Sequence, residues 1–374
     1  MSVGLIAHYK GPCLGIGQYL QRLLPFLVKE LVSKDIKVRI LASPNAFEKT
    51  AALQELSEFV SILPPLDYSP AMRYLWCATR LSNYCRQEGL DVLLWLSNPI
   101  VLPWHPSSLI VIHDVNEWKV AQKYGNRLKT TLRSLIYLDA SLRSAQKIIV
   151  ISQATKRDVL YFRPQLANQQ KLVTILNGAD SPLTQFPICD IVAPQAPFLL
   201  SVGRIDPSAK RLPEAVALVN ALRELSSQPW ELHLIGGTND TTRLSGEAFL
   251  ESVQHLAWVT YHGYVEDLAL AQWYRQATAV IFLSDDEGFG FPIAEAASFG
   301  RWVVISQANE AGREAGFGAI IPVEPNNPQA SAKTLLHQLQ QKPFPLVSNQ
   351  LPTWQTAAFQ YTQQIDAVLK LNKE

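Results

Sequence analysis

Cysteine is nearly absent from this chain: four in 374 residues, at positions 13, 77, 85 and 189, in spacings that form neither a disulfide framework nor a CxxC pair. This excludes a disulfide-stapled scaffold and predicts a reducing compartment. Apolar runs long enough to cross a bilayer are also missing, as is a basic segment ahead of the short apolar run at the N-terminus. Cytoplasmic residence is the expectation, with peripheral attachment at the inner face of a membrane left open. A net charge of +1 excludes a strongly basic nucleic-acid binder. No HExxH, EF-hand loop, GxxxxGK[ST], GxSxG or DxD occurs, and the seven histidines fall in no familiar metal spacing. Neither a tightly bound cofactor nor an essential divalent metal is therefore expected.

What the chain does have is core: 48% apolar residues against 17% charged, over a length that suits two domains. Short apolar runs alternate with longer amphipathic stretches, the signature of parallel strands covered by helices, so the class is α/β. Strands are predicted over 3–8, 37–42, 59–63, 92–96, 108–113 and 147–152, then over 198–203, 230–236, 258–263, 279–284, 302–307 and 319–323. Helices are predicted over 19–33, with a kink or break at Pro25, and over 127–145. The alternation restarts after the Pro-rich stretch 194–197, giving domains at 1–190 and 191–351 and a closing segment at 352–374. Bulk neutrality conceals two unlike halves: 21 basic and 14 acidic residues up to 190, 12 and 18 beyond it. Lys119, Lys123, Arg127, Lys129, Arg133, Arg143 and Lys147 crowd near one predicted helix, which reads either as a solvated face or as attraction to an anionic membrane or acceptor.

The most informative segment is SDDEGFGFPIAEAASFG at 284–300. It leaves a strand, turns through Gly288 and Gly290 and enters a helix near Pro292, placing backbone N–H groups and the carboxylates of Glu287 and Glu295 around one spot. A helix start favours phosphate, and carboxylates accept from the vicinal hydroxyls of sugars. In residues 198–222, Gly203 and Arg204 end a strand and Lys210 precedes a helix, two cations suited to a diphosphate whose charge rises on cleavage. Gly11, Gly15 and Gly17 follow the first strand without the GxGxxG fingerprint. His113 and Asp114 end another strand, the histidine being either a capped structural residue or a partner for a substrate hydroxyl.

The order of these motifs, with HDVNEW at 113–118, SVGRIDPSAKR at 201–211, VTYHGYVED at 259–267 and the E-x7-E element EGFGFPIAE, resembles the family 4 retaining glycosyltransferases over nearly the whole chain. The resemblance implies the GT-B arrangement, two facing Rossmann-like domains with parallel sheets and a central cleft, moving a hexosyl group from a UDP- or GDP-sugar to an acceptor hydroxyl. It implies that Glu295 binds the ribose hydroxyls, that Glu287 lies by the donor sugar and that Arg204 and Lys210 hold the diphosphate. The main chain of Gly288, Phe289, Gly290, Phe291, Pro292 and Ile293 would line the donor pocket beside Gly203, and Gly263 to Val265 would lie near the base. His113 would touch the donor sugar, Gly15 and Gly17 would close over its phosphates, and the last helix, from 352 and anchored by Trp354, would return to the first domain. Trp302 stands where family members often carry proline, and AEAASFG replaces the commoner Ala-Cys-Gly or Ala-Met-Ala pattern. A sugar phosphorylase, a nucleotide-sugar epimerase and a non-catalytic carbohydrate-binding protein are the alternatives.

Overall fold

In a computed structural model the chain is described at residues 1–11, 13–97, 99–115, 118–119, 138–188, 196–238, 242–345 and 351–372. It divides into two compact units, Met1–Gly178 with Pro352–Glu374, and Ala179–Leu351. The division precedes position 190 because residues 179–188 are tied to the second unit. Gln272 donates to the Pro187 carbonyl at 2.8 Å, and Arg275 donates to the carbonyls of Thr184 and Phe186 at 3.2 and 2.6 Å.

The first unit is built on a parallel sheet ordered β3-β2-β1-β4-β5-β6-β7. Its strands are β1 Ser2–Ala7, β2 Lys37–Ala42, β3 Val60–Ile62, β4 Val92–Trp95, β5 Ser107–Ile112, β6 Lys147–Val150 and β7 Leu172–Thr174. The second unit repeats the plan as β10-β9-β8-β11-β12-β13. Its strands are β8 Phe198–Val202, β9 Glu231–Ile235, β10 Val259–Tyr261, β11 Ala279–Phe282, β12 Trp302–Ser306 and β13 Ile320–Val323. Central strands such as β1, β4 and β11 are buried along their whole length, as parallel strands covered on both faces must be. Both units are Rossmann-like, and each reverses its strand order once, at β1/β4 and at β8/β11. The crevice beyond the carboxyl ends at such a switch is where open α/β sheets take ligands.

The helix Ile16–Ser33 runs unbroken through Pro25. Its buried stripe of Leu20, Leu23, Leu24, Leu27, Val28 and Leu31 outweighs the roughly 3 kcal/mol that an interior proline costs. Against it packs the closing helix Trp354–Leu371, with Tyr19 Oη donating to Tyr361 Oη at 2.8 Å and the Tyr19 and Trp354 rings 5.9 Å apart. Of the predicted helix 127–145, residues 140–144 are helical and most of the rest lies outside the described residues.

Candidate donor site

The loops after β8, β9 and β10 form a shelf of bare backbone in the second unit. Gly203 (φ 139°) donates to the Ile235 carbonyl at 2.9 Å, and Gly236 (φ 134°) donates to the Gly263 carbonyl at 2.8 Å. A Cβ on Gly236 would lie 1.9 Å from the Gly203 oxygen, so the close approach excludes every side chain there. A polar chain leads to the same shelf. Glu231 accepts from His233 Nε2 at 2.9 Å, which leaves His233 Nδ1 to accept from His262 Nε2 at 2.8 Å, with Trp273 4.4 Å from the His262 ring. Burial pushes both histidines below their ordinary pKa and keeps them neutral.

At the β8/β11 switch, Lys210 Nζ donates to Glu287 Oε1, which also accepts from Ser284 Oγ at 2.7 Å. The ammonium lies 4.5 Å from the centre of the Phe282 ring. Arg204 bonds a different carboxylate, Asp206, at 3.1 Å, and Asp206 in turn accepts from Ala209 N. The two carboxylates have partners of their own. Glu295 is 6% exposed and accepts from Tyr274 Oη at 2.8 Å, a pairing that satisfies a group which is costly to bury unpaired. It lies on the helix Phe291–Ser298, which has Gly290 (φ 94°) at its N-cap and Pro292 in its first turn. Phe289 and Ile293 are buried, whereas Gly288 and Val265 are partly exposed.

Several framing residues went unread in the sequence. Asp285 accepts from Arg211 at 2.9 and 2.5 Å and from Ser306 Oγ at 2.5 Å, and its carboxylate raises the Arg211 pKa further. Wholly buried Asn309 donates to the Ser284 carbonyl at 2.9 Å and accepts from Gly312 N at 2.7 Å, fixing the loop that carries Glu287. Asp285 lies inside the motif, and Ser306 and Asn309 lie at or just beyond the end of the next strand. Both are positions where a switch-point site draws its side chains. Trp302 fills core and donates to the Lys342 carbonyl at 2.9 Å, so the departure from proline is a packing choice.

In the first unit, His113 Nε2 donates to the Leu96 carbonyl at 2.7 Å, which leaves Nδ1 as an acceptor. Burial lowers its pKa, and the Tyr19 ring meets it edge-on at 4.6 Å. Gly15 (φ 49°) is the N-cap of Ile16–Ser33, and a Cβ on Gly17 would approach Tyr9 to 3.0 Å. Of the basic cluster, Lys119 bonds Asp158 at 2.7 Å and Lys147 the Gln170 carbonyl at 3.1 Å. Lys123, Arg127, Lys129 and Arg133 lie outside the described residues.

His8, at the end of β1, was also unread. It is 3% exposed and accepts at Nε2 from Arg73 at 2.5 Å, and burial, then Arg73 and Lys10, lower its pKa to about 3. The unfolded chain therefore binds a proton below the ordinary 6.5 that the folded chain refuses until about 3, so stability falls with pH across that window. Between pH 7 and pH 5 this group alone should cost about 2 kcal/mol. Urea melts of wild type and His8→Gln at both pH values should differ by that amount. An equal loss in both proteins would remove His8 from the acid limb.

Residues 20–181 match the model described as Glycosyltransferase Family 4, and residues 196–341 match that described as Glycosyl transferases group 1. The chain is a nucleotide-sugar-dependent GT-B glycosyltransferase related to family 4. The phosphorylase, epimerase and non-catalytic readings thereby fall away. The O-antigen chain mannosyltransferase B of Escherichia coli is 36% identical over 83 residues, a stretch spanning 22% of this glycosyltransferase and 22% of that relative. Two solved structures share the fold over almost their full length. HepE of Anabaena, in complex with UDP and glucose, has a TM-score of 0.69 at 15% identity, covering 98% of this chain and 99% of its own. The sucrose-phosphate synthase of Thermosynechococcus elongatus has a TM-score of 0.66 at 19% identity, covering 99% and 96%. Among the described residues of the glycosyltransferase, no three His, Cys, Asp or Glu side chains gather as a metal site, and no helix is long and apolar enough to cross a membrane.

Proposed function

We propose that this glycosyltransferase moves a hexosyl group from a UDP- or GDP-sugar to an acceptor hydroxyl with retention of configuration and without an essential metal. The observation that carries this reading is Lys210, held against Glu287 beyond the β8/β11 switch and one loop away from Arg204. The C1–O bond to the diphosphate breaks while C1 bonds to the acceptor oxygen on the same face, and the acceptor proton passes to the leaving phosphate. Charge builds on the phosphate as the bond breaks, so a fixed ammonium and guanidinium stabilise the transition state more than the ground state. Glu287 is held by Lys210 and Ser284 and serves to place a sugar hydroxyl, while Glu295 takes the ribose hydroxyls. The shelf at Gly203, Gly236 and Gly263 lets the nucleotide approach main chain, with the His233–His262 chain steadying the loop from Gly263 to Val265 by the base. His113 offers a neutral Nδ1 to a donor-sugar hydroxyl, and Gly15 and Gly17 approach the phosphates.

The basic first unit also attaches peripherally to an anionic membrane in a cytoplasmic setting. The reaction is tested with chelator-treated protein and UDP-glucose, UDP-galactose, UDP-N-acetylglucosamine and GDP-mannose, followed by calorimetry and by mass spectrometry of released nucleotide. At least one donor should bind and turn over with chelator present. Binding to none, or turnover only after a divalent ion is restored, would overturn the reading.

A further inference from the structure

The wall of the first unit between β3 and β4 carries a face that neither the fold nor the donor site uses. Pro70–Trp76, Cys77–Leu81 and Ser82–Gln87 follow one another as a continuous helical run, its middle turn a wider π-type turn. Cys77, Leu81 and Cys85 are buried in the core, and Tyr74, Trp76 and Tyr84 pack partly against it. The opposite side is apolar in its first half, where water should be met, and polar beyond it, with Thr79, Arg80, Asn83, Arg86 and Gln87 exposed. Met72 is 51% exposed and Leu75 52%, with Tyr68 at 45% just ahead of them and Trp104 at 58% alongside. Trp104 is not a stray ring. Its Nε1 donates to the Ala78 carbonyl and its own carbonyl accepts from Ser82 Oγ, both at 2.9 Å, so the indole is fastened to the run and still left open. Thr79 turns its hydroxyl back to the Leu75 carbonyl at 2.7 Å, removing one more polar group from the outer side.

Charge on this run has one sign. Between positions 68 and 87 there are three arginines, Arg73, Arg80 and Arg86, and no aspartate or glutamate. Arg73 turns inward to His8 and the Leu66 carbonyl, whereas Arg80 and Arg86 are exposed. A solvated helix of the same protein looks different: Leu212–Ser226 presents exposed Asn220 and Glu224, hydrogen-bonded to each other at 2.7 Å. Exposed Met, Leu, Tyr and Trp beside unopposed arginine is the composition of a surface that lies in a bilayer interface. Trp and Tyr seat apolar rings at headgroup depth and keep a polar edge wet.

We propose that the outer face of the run 70–87, with Tyr68 and Trp104, is the surface by which the protein docks on an anionic lipid bilayer. Met72, Leu75 and Trp104 enter the headgroup boundary while Arg80 and Arg86 lie over lipid phosphates. This rests on the peripheral attachment proposed above and assigns it to the run 70–87 rather than to the basic sequence 119–147. The full chain is sedimented with vesicles of phosphatidylcholine alone and with 30% phosphatidylglycerol, a composition giving roughly the surface charge of an anionic leaflet. Wild type should bind the anionic vesicles and be released by salt. Met72→Ser with Leu75→Ser should bind at least about tenfold less. Trp104→Phe should remove the part of the tryptophan emission that brominated lipid quenches. The double variant should keep the wild-type melting temperature, since Met72 and Leu75 are exposed, and both variants should keep donor binding. Undiminished binding of the double variant, with loss instead in Lys123→Gln/Arg127→Gln, would move the docking surface and overturn the proposal. No binding of wild type to either vesicle would overturn the peripheral attachment itself, with glycosyl transfer to a free acceptor untouched.

Discussion

Lys210→Ala should lower kcat by about 10²–10³-fold with little change in donor KM, whereas Glu295→Ala should raise donor KM by about 10- to 100-fold with a smaller effect on kcat. The asymmetry follows from when each contact matters. Lys210 already has a carboxylate partner, Glu287, so exchanging it for a ground-state diphosphate gains little. Its full effect comes as the leaving oxygens gain charge, in a site where a preorganised cation needs no reorganisation. Glu295 meets hydroxyls that do not react, so its contribution is the same in ground and transition states and appears as binding. Its carboxylate is already oriented by Tyr274 Oη at 2.8 Å, which makes the loss one of a placed acceptor. The measurement is steady-state kinetics against donor at saturating acceptor. Equal changes in kcat and KM for both variants, or none in either, would sink the assignment of these two residues.

Much of this organisation was legible from residue pattern. The alternation of apolar runs with amphipathic stretches located the strands to within a few residues, because strands buried on both faces need unbroken apolar sequence. β7 escaped because Leu172–Thr174 is three half-buried residues at a sheet edge, too short to show a period. The run 70–87 escaped for a related reason. Its exposed Met72 and Leu75 spoil the amphipathic contrast by which helices are read, and that departure is what marks the face as an interface. In the candidate donor site, spacing singled out the loops of Lys210 and Glu287, which the fold brings together, yet partner choice was hidden. Arg204 bonds a carboxylate two residues away, and Glu295 accepts from a hydroxyl that lies 21 residues earlier in sequence, on Tyr274. Such pairings depend on side-chain reach and register, which spacing along the chain does not encode.

Gly236→Ala should be the most damaging single-methyl change in the second unit. A Cβ at that position would lie 1.9 Å from the Gly203 carbonyl oxygen and 2.7 Å from its carbon, and both atoms are main chain, so no rotamer change relieves the contact. The residue also sits at φ 134°, outside the conformations that L side chains tolerate. To make room, the carboxyl ends of β8 and β9 would have to part, breaking the Gly203 N–H bond to Ile235 and the Gly236 N–H bond to Gly263. Strain, overpacking and lost hydrogen bonds together should exceed about 4 kcal/mol, a large part of the stability of a domain, and lower its melting temperature by roughly 10 °C or more. Two neighbours separate the causes. Gly203→Ala shares the positive φ at 139° but meets nothing within 4 Å, so it should cost about 1–3 kcal/mol of backbone strain alone. Gly237→Ala meets nothing and has no positive φ, so it should be nearly neutral. Calorimetric melts of the three variants should rank in that order, and Gly236→Ala melting alongside Gly237→Ala would show that the shelf is not closed by backbone contact.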